Sequence, residues 1–313
     1  MPKQIAIPNP IMRARHNVFL APLTTWHIGG PAEILVEPES INELIEVYKY
    51  AKEDGFPFTM LGRGSNVLIA DEGIMGIVVC LRQKINHIKA DGEAGIITAE
   101  AGCPLPRVAI TAEKYGIAGF EFLIGIPGTV GAGVAINAGI GGRREGTAIN
   151  SVLVSTTVLN TQTGTVFVVK ADELDLDYRY SNISERKLIV LSATFKGQAA
   201  QSRVSIRQRQ QEIMRKRSAK QPLQRHTSGS VFKQPRGGQP AGWYIDQAGL
   251  KGLQVGNAKV SHQHANWIEN NGGATAKDVR ELIAFIQTSV FEKFGVTLER
   301  EVRYLPEEST LQL

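Results

Sequence analysis

Ser40-Ile41-Asn42-Glu43 opens a stretch in which Ile41, Leu44, Ile45, Tyr48 and Ala51 recur at helical spacing up to Gly55. A serine three residues before a glutamate is a capping box, and glycine is a natural C-terminal stop, so the pattern predicts a helix here. The spacing predicts a second helix from Pro106 to Tyr115, stopped by Gly116. Thr275-Ala-Lys-Asp278 caps a third, with Val279, Leu282, Ile283, Ile286, Val290 and Phe291 on one face and Gly295 at its end. Short apolar or alternating runs predict strands at 57–61, 76–81, 95–101, 152–160, 165–170, 187–195 and 296–305. Between Ile206 and Met214 apolar positions are sparse, which predicts a surface helix. This interleaving indicates a mixed α/β chain. The polar, weakly patterned stretch from Lys196 to Ser202 is the candidate domain boundary, and no tandem repeat or low-complexity tract interrupts the pattern.

The chain has 313 residues, about twice a usual domain, and its 42% hydrophobic content suffices for full-sized cores. Cys80 and Cys103 are the only cysteines and form no CxxC pair, which argues against a disulfide scaffold or a zinc ribbon and suits a reducing compartment. The opening residues resemble no secretory leader and no run approaches a membrane span, so a soluble, cytoplasmic protein is expected. The net charge of +5 is uneven: residues 203–236 hold ten Lys/Arg against Glu212 alone, leaving −4 on everything else. A basic segment of that kind suits a local anionic ligand, and with Phe232 its only aromatic residue it lacks the stacking platform of a nucleic-acid binder.

Glycine is abundant, 32 residues, and clustered. Gly62-Arg63-Gly64-Ser65-Asn66 follows a predicted strand, where glycines let successive N–H groups converge on one spot, as in a phosphate-binding nest. A second cluster runs through Gly125-Ile126-Pro127-Gly128-Thr129-Val-Gly131-Ala-Gly133 to Asn137-Ala-Gly139 and Gly141-Gly142. Neither fits a Rossmann fingerprint or a P-loop, and each alone is equally an ordinary turn. Three further elements carry chemistry. Tyr178-Arg179-Tyr180-Ser181 offers a guanidinium suited to a carboxylate, and Thr227-Ser228-Gly229-Ser230 offers hydroxyls in a glycine turn. Glu299 and Glu301 would share one face of the last strand. A surface arginine, a polar turn and an acidic edge are the plainer readings of the three. His262 and His264 have the spacing of facing ligands on a strand, but no third ligand is evident and no metal is expected.

Taken in order, these segments resemble the UDP-N-acetylenolpyruvoylglucosamine reductase (MurB) family. The resemblance rests on Thr24-Thr25-Trp-His-Ile-Gly29-Gly30, LGRGSNVLIADEG (61–73), GFEFLIGIPGTVGAG (119–133), NAGIGG (137–142), YRYS (178–181), Lys216-Arg217 with Gln221-Pro222, SGSVFKQP (228–235), AGWYIDQAGLKG (241–252), VSHQHANWI (260–268) and LEREVRY (298–304). It spans about residues 20–305, and order and spacing together make it far more specific than any one segment. The short interval 142–178 resembles the shorter, second type of the family.

The resemblance implies an α+β fold: an N-terminal lead over 1–19, an FAD-binding domain of the vanillyl-alcohol-oxidase (PCMH) type over 20–200, with lobes of about 20–90 and 91–200, and a C-terminal α+β substrate domain over 201–313. It implies FAD, with NADPH as co-substrate and UDP-N-acetylglucosamine enolpyruvate as substrate, reduced to UDP-N-acetylmuramate for peptidoglycan. No nucleic acid or membrane partner is implied. The catalytic trio falls on Arg179, Ser230 and Glu301. Thr25, Gly62 to Asn66, Gly125 to Thr129, Gly131, Asn137 and Gly139 fall at the cofactor, and Tyr178, Lys216, Arg217, Lys233, Gln234 and His264 at the substrate. Three places depart from the family pattern: Ala132-Gly133, Gly141, and Gln234 where an asparagine is usual. The rival reading is an FAD oxidase of a sugar lactone or alcohol on the same cofactor fold, which shares the glycine loops but has no need of Ser230 with Glu301.

Overall fold

The computed structural model describes residues 14–82, 84–142 and 146–306, so the lead expected over 1–19 lies outside the described residues up to position 13. The first unit is a four-stranded sheet built from β1 (Arg15–Phe19), β2 (Pro31–Val36), β3 (Phe58–Leu61) and β5 (Ile74–Cys80), in the order β1-β2-β5-β3. It carries α1 (Ile41–Glu53), and the short β4 (Val67–Ile69) stands apart from its ladder. The second unit is an antiparallel sheet, β6-β7-β10-β8-β9, from β6 (Ile88–Asp91), β7 (Ile96–Glu100), β8 (Leu153–Asn160), β9 (Val166–Lys170) and β10 (Leu188–Lys196). It carries α2 (Leu105–Lys114) and α3 (Val130–Ala135), and α4 (Arg203–Lys220) follows it. The third has α5 (Ala241–Gln247), a sheet of β11 (Gln254–Val255), β12 (Ala258–Val260) and β13 (Ile268–Asn270), and the long α6 (Ala276–Phe294). The last strand, β14 (Arg303–Leu305), returns to the first unit and pairs in parallel with β4.

The predicted helices form because their ends are satisfied locally. Ser40 Oγ accepts the Glu43 amide at 3.1 Å, while the Glu43 carboxylate takes the Glu39 amide at 2.8 Å, one residue further back than in a capping box. At α6 the box closes fully, with Thr275 Oγ1 accepting from Asp278 N at 3.0 Å and Asp278 Oδ2 accepting from Thr275 N at 3.1 Å. One apolar cluster joins Ile34, Leu44 and Val79 of the first unit to Leu105, Phe120 and Phe195 of the second. Another joins Leu282 and Ile286 of α6 to Trp26 and Leu68 of the first unit. Polar bonds lock the same junction. The Trp26 indole donates to Ile268 O at 2.7 Å, and Asp71 accepts from the first two amides of α6, Ala276 at 2.7 Å and Lys277 at 3.0 Å.

Helix α4 is longer than the sparse periodicity over 206–214 predicts, because charge holds it. Arg207 pairs with Glu113 at 2.6 Å, Arg209 pairs with Glu121 at 2.7 Å, and Gln210 donates to Ala109 O at 2.9 Å, while only Ile206 and Gln210 are buried. Its far end reaches the third unit, where Gln263 donates to Ser218 O at 3.1 Å.

Two predictions about strands are corrected. The strand expected over 296–305 is confined to β14. Residues 299–301 bond instead to the 231–233 segment, through Lys233 N to Glu299 O and Glu301 N to Val231 O, before the chain crosses to β4. The two glutamates therefore share no face: the Glu299 side chain is 75% exposed and that of Glu301 13%. His262 and His264 lie in the turn between β12 and β13, not on a strand.

Candidate active site

The three units enclose one large cavity of about 2010 Å³. That is at least twice the volume of a usual single-ligand pocket, so it can hold two large ligands side by side. Residues 62–66 form part of its wall as the turn between β3 and β4. Gly64 sits at φ +62°, and a Cβ there would lie 2.4 Å from Leu23 O, so both conformation and space demand glycine. Among the described residues, the amides of Arg63, Gly64, Ser65 and Asn66 donate to no protein acceptor. Four successive unsatisfied N–H groups on a cavity wall suit an anion. The second glycine stretch packs directly against this turn, since a Cβ on Gly62 would meet Thr129 Oγ1 at 2.8 Å. Thr25, residues 125–129, Gly131 and Gly139 complete this side of the cavity.

On another wall Arg179 holds an unusual backbone position, φ +55°, in the loop between β9 and β10. Its Nε donates to Glu301 Oε1 at 2.7 Å and its Nη2 to Gly139 O at 2.6 Å, and its guanidinium lies 4.9 Å from the Tyr178 ring centroid. Both side chains of the ion pair are close to fully buried, 10% and 13% exposed. Burial pushes the Glu301 carboxyl above the usual carboxylate range, with the Arg179 charge acting in the opposite direction. Glu301 in turn is anchored through its backbone: its amide donates to Val231 O at 2.8 Å, and Asn66 Nδ2 donates to its carbonyl at 3.1 Å. Ser230, half-buried and lining the cavity, immediately precedes Val231.

The structure thus brings together Arg179, Glu301 and Ser230 from the second unit, the last crossing and the 227–230 turn. Tyr178, Arg217, Gln234 and His264 line the same cavity. Three expected site residues do not. Lys216 projects from an exposed part of α4 and pairs with Glu212 at 3.1 Å, because neighbouring helical positions face different ways. Lys233 points toward Glu299 at 3.7 Å. Asn137 is buried as a brace for the Arg179 loop, donating to Asp177 O at 2.8 Å and accepting from Asn150 N at 2.9 Å. Sequence reasoning missed Lys220 and Lys251, which both line the cavity. Lys220 stands three positions after Arg217 on α4, so helical spacing from Arg217 is the signal that could have found it.

His264 supports the site as well as lining it. Its Nδ1 accepts the Asn266 amide at 3.3 Å, which requires an unprotonated ring nitrogen, and burial lowers its pKa below 6.5. Among the described residues no three His, Cys, Asp or Glu side chains gather as a metal cluster. No helix among them is long and apolar enough to cross a membrane.

A split α+β fold, a nest of free amides and a buried Arg–Glu pair on one cavity suit an enzyme that binds a large anionic cofactor. A family described as "FAD binding domain" matches residues 32–170, and one described as "UDP-N-acetylenolpyruvoylglucosamine reductase, C-terminal domain" matches 221–305. A UDP-N-acetylenolpyruvoylglucosamine reductase of Synechococcus sp. (strain RCC307) is 40% identical across 94% of both chains. One of Caldicellulosiruptor saccharolyticus is 42% identical, over 93% of this chain and 91% of that protein. The crystal structure of UDP-N-acetylenolpyruvylglucosamine reductase (MurB) from Thermus caldophilus superposes with a TM-score of 0.76 at 33% identity, covering 94% of this chain and 99% of that one. The chain belongs to the UDP-N-acetylenolpyruvoylglucosamine reductase family and is an FAD-dependent oxidoreductase.

The free amides of 63–66 fit the FAD pyrophosphate, and the backbone rather than the Arg63 side chain should supply most of the hold. Gly64→Val is expected to weaken FAD binding at least tenfold in a titration of the apoprotein, and Arg63→Ala by less than about threefold. Equal losses would show that the side-chain charge matters as much as the turn.

The lowered His264 pKa has a consequence for stability. The unfolded chain takes up this proton first as the pH falls through 6.5, so acidification below that point favours unfolding. Wild-type protein should therefore lose thermal stability relative to His264→Gln between about pH 7 and about pH 5. Parallel melting-temperature curves for the two proteins would contradict this.

Proposed function

We propose that the chain reduces UDP-N-acetylglucosamine enolpyruvate to UDP-N-acetylmuramate with NADPH in the cytoplasm, as a step of peptidoglycan synthesis, and that Arg179, Ser230 and Glu301 act on the enolpyruvyl group. Residues 62–66 and the 125–131 stretch would hold FAD, which when bound would supply hydride chemistry, with NADPH as the source of the electrons and C3 of the substrate as their destination. What remains for the protein is to bind the enolpyruvyl carboxylate, bear the negative charge that grows toward C2, and deliver a proton there.

Arg179 is suited to the first two tasks. Glu301 occupies its Nε and Gly139 O its Nη2, while its Nη1 has no protein acceptor among the described residues. The free edge of a fixed, always-charged fork is where a carboxylate can dock. A preorganised cation in a site closed to water stabilises developing negative charge without reorganising, an effect on the order of 10²–10³ in rate for a single donor. Glu301 holds the fork in that orientation. Ser230 carries the proton. A serine hydroxyl is a weak acid, but a carbanion beside it is a far stronger base, so position is the main requirement.

Arg217, Lys220 and Lys251 supply cationic groups for the diphosphate of the substrate and the phosphates of NADPH, which use the cavity in turn. Most other cations of the basic segment are engaged elsewhere, Arg207 and Arg209 with the second unit and Arg215 with Glu212 at 2.9 Å. The observation that carries the reading is the 2.7 Å Arg179–Glu301 contact, made between residues 122 apart in sequence and tied by its backbone to the Ser230 turn.

Ser230→Ala separates the two half-reactions. Anaerobic reduction of the flavin by NADPH is expected to keep its wild-type rate, since it needs no acid from this side chain. Reoxidation by the enolpyruvyl substrate should slow by roughly 10²–10⁴, about 2.7–5.5 kcal/mol on the barrier. Ser228, buried in the same turn with its hydroxyl unpartnered, is the control. A large loss in Ser228→Ala but not in Ser230→Ala would assign the proton to the other hydroxyl, and no loss in either would remove this turn from the chemistry.

A further inference from the structure

The turn that carries Ser230 has no backbone support of its own. Among the described residues, no main-chain N–H or C=O of positions 227–230 takes part in a hydrogen bond, and Gly229 adopts φ +83° in the middle of the turn. The first fixed points after Ser230 are Val231 and Phe232, both fully buried. Of the four polar groups on their backbones, three go to a single residue. Val231 N donates to Asn266 O at 2.9 Å, Phe232 N donates to Asn266 Oδ1 at 3.0 Å, and Asn266 Nδ2 donates to Phe232 O at 2.8 Å. The fourth, Val231 O, accepts from Glu301 N and Val302 N.

The carboxamide of Asn266 thus does what a neighbouring strand would do, pairing with the N–H and C=O of one residue at once. Asn266 is itself buried, and its backbone N–H donates to the His264 ring at 3.3 Å. A side chain that engages both polar groups of one residue permits little sliding or rotation of that residue. Ser230 is two residues away from the clamped Phe232, and its hydroxyl must meet a reacting carbon, where an error of 1 Å can cost on the order of 10² in rate.

We propose that Asn266 is the positioning residue for Ser230: its carboxamide clamp on Phe232 sets where the serine hydroxyl stands for proton delivery. This rests on the reading of Ser230 as the proton donor. Asn266 also lines the cavity, but its carboxamide is taken up by Phe232 and not by the Ser230 hydroxyl, so it acts through residues 231 and 232.

The test is a double-mutant cycle on FAD-loaded enzyme, read in the two half-reactions. Asn266→Asp keeps the acceptor for Phe232 N but sets an oxygen against Phe232 O, and Asn266→Ser removes both bonds. In each variant flavin reduction by NADPH should stay within about twofold of wild type, while reoxidation by UDP-N-acetylglucosamine enolpyruvate should slow by about 10–10². In the Ser230→Ala background the same substitutions should slow reoxidation by no more than about twofold further, because the group they position is already absent. Multiplying effects in the double variants would overturn the proposal while leaving Ser230 as donor. So would unchanged reoxidation in the single variants, equal slowing of both half-reactions, or failure of both variants to fold with flavin, which would make Asn266 a residue of the fold. A Ser230→Ala variant that reoxidises at the wild-type rate would overturn the donor reading and this proposal with it.

Discussion

The Arg179–Glu301 ion pair is the constraint around which the rest of the site is arranged. Two opposite charges almost removed from water are tolerated only when geometry is good and the remaining donors are satisfied. Here the guanidinium has the carboxylate on one edge and Gly139 O on another, and only Nη1 is left without a protein acceptor among the described residues. Losing one partner of such a pair costs on the order of 3–5 kcal/mol, since it strands the other charge. The backbone contributes as well. Arg179 sits at φ +55°, a conformation that side chains other than those of Asn, Asp and Gly seldom adopt, and the Asn137 carboxamide braces its loop through Asp177 O. The structure therefore accepts local strain and buried charge at one point, which is where function is most often found.

That pair also fits the path of residues 299–305. Glu301 does not belong to a strand of the third unit. The chain instead pairs briefly with residues 231–233, then crosses to β4 of the first unit, where Arg303 N donates to Asn66 O. Glu301 is held between the turn that carries Ser230 and the turn whose free amides suit a pyrophosphate. Three units that bury separate parts of their surfaces are thereby locked at one place, and the Trp26 and Asp71 bonds to the third unit keep the lock from opening.

Much of this was legible from the residues. The capped helices and the main strands of the second sheet follow from local signals, Ser40 with Glu43, Thr275 with Asp278, and apolar runs such as 187–195. The glycine turn at 62–66 announced itself because only glycine serves at Gly64. What was not legible depended on partners distant in the chain. Helix α4 has almost no apolar face, and Glu113 and Glu121, some ninety residues earlier, hold it. The last strand looked continuous because its residues are extended, yet its hydrogen bonds go first to one neighbour and then to another. Lys216 and Arg217 are adjacent in sequence, but only the second lines the cavity, and nothing local distinguishes them. Asn137 is expected at the cofactor and Asn266 stands out by no local signal, and the carboxamides of both prove to be engaged with backbone groups.

The central claim is that Arg179 acts as an oriented fork and not merely as a positive charge. Arg179→Lys tests it most directly, because lysine keeps the charge but cannot hold Glu301, Gly139 O and a substrate carboxylate on fixed edges. The measurement is single-turnover reoxidation of the NADPH-reduced enzyme by UDP-N-acetylglucosamine enolpyruvate, followed by flavin absorbance. The account predicts a loss of at least about 10² in that rate, with flavin reduction by NADPH preserved. Reoxidation within about threefold of wild type would contradict it.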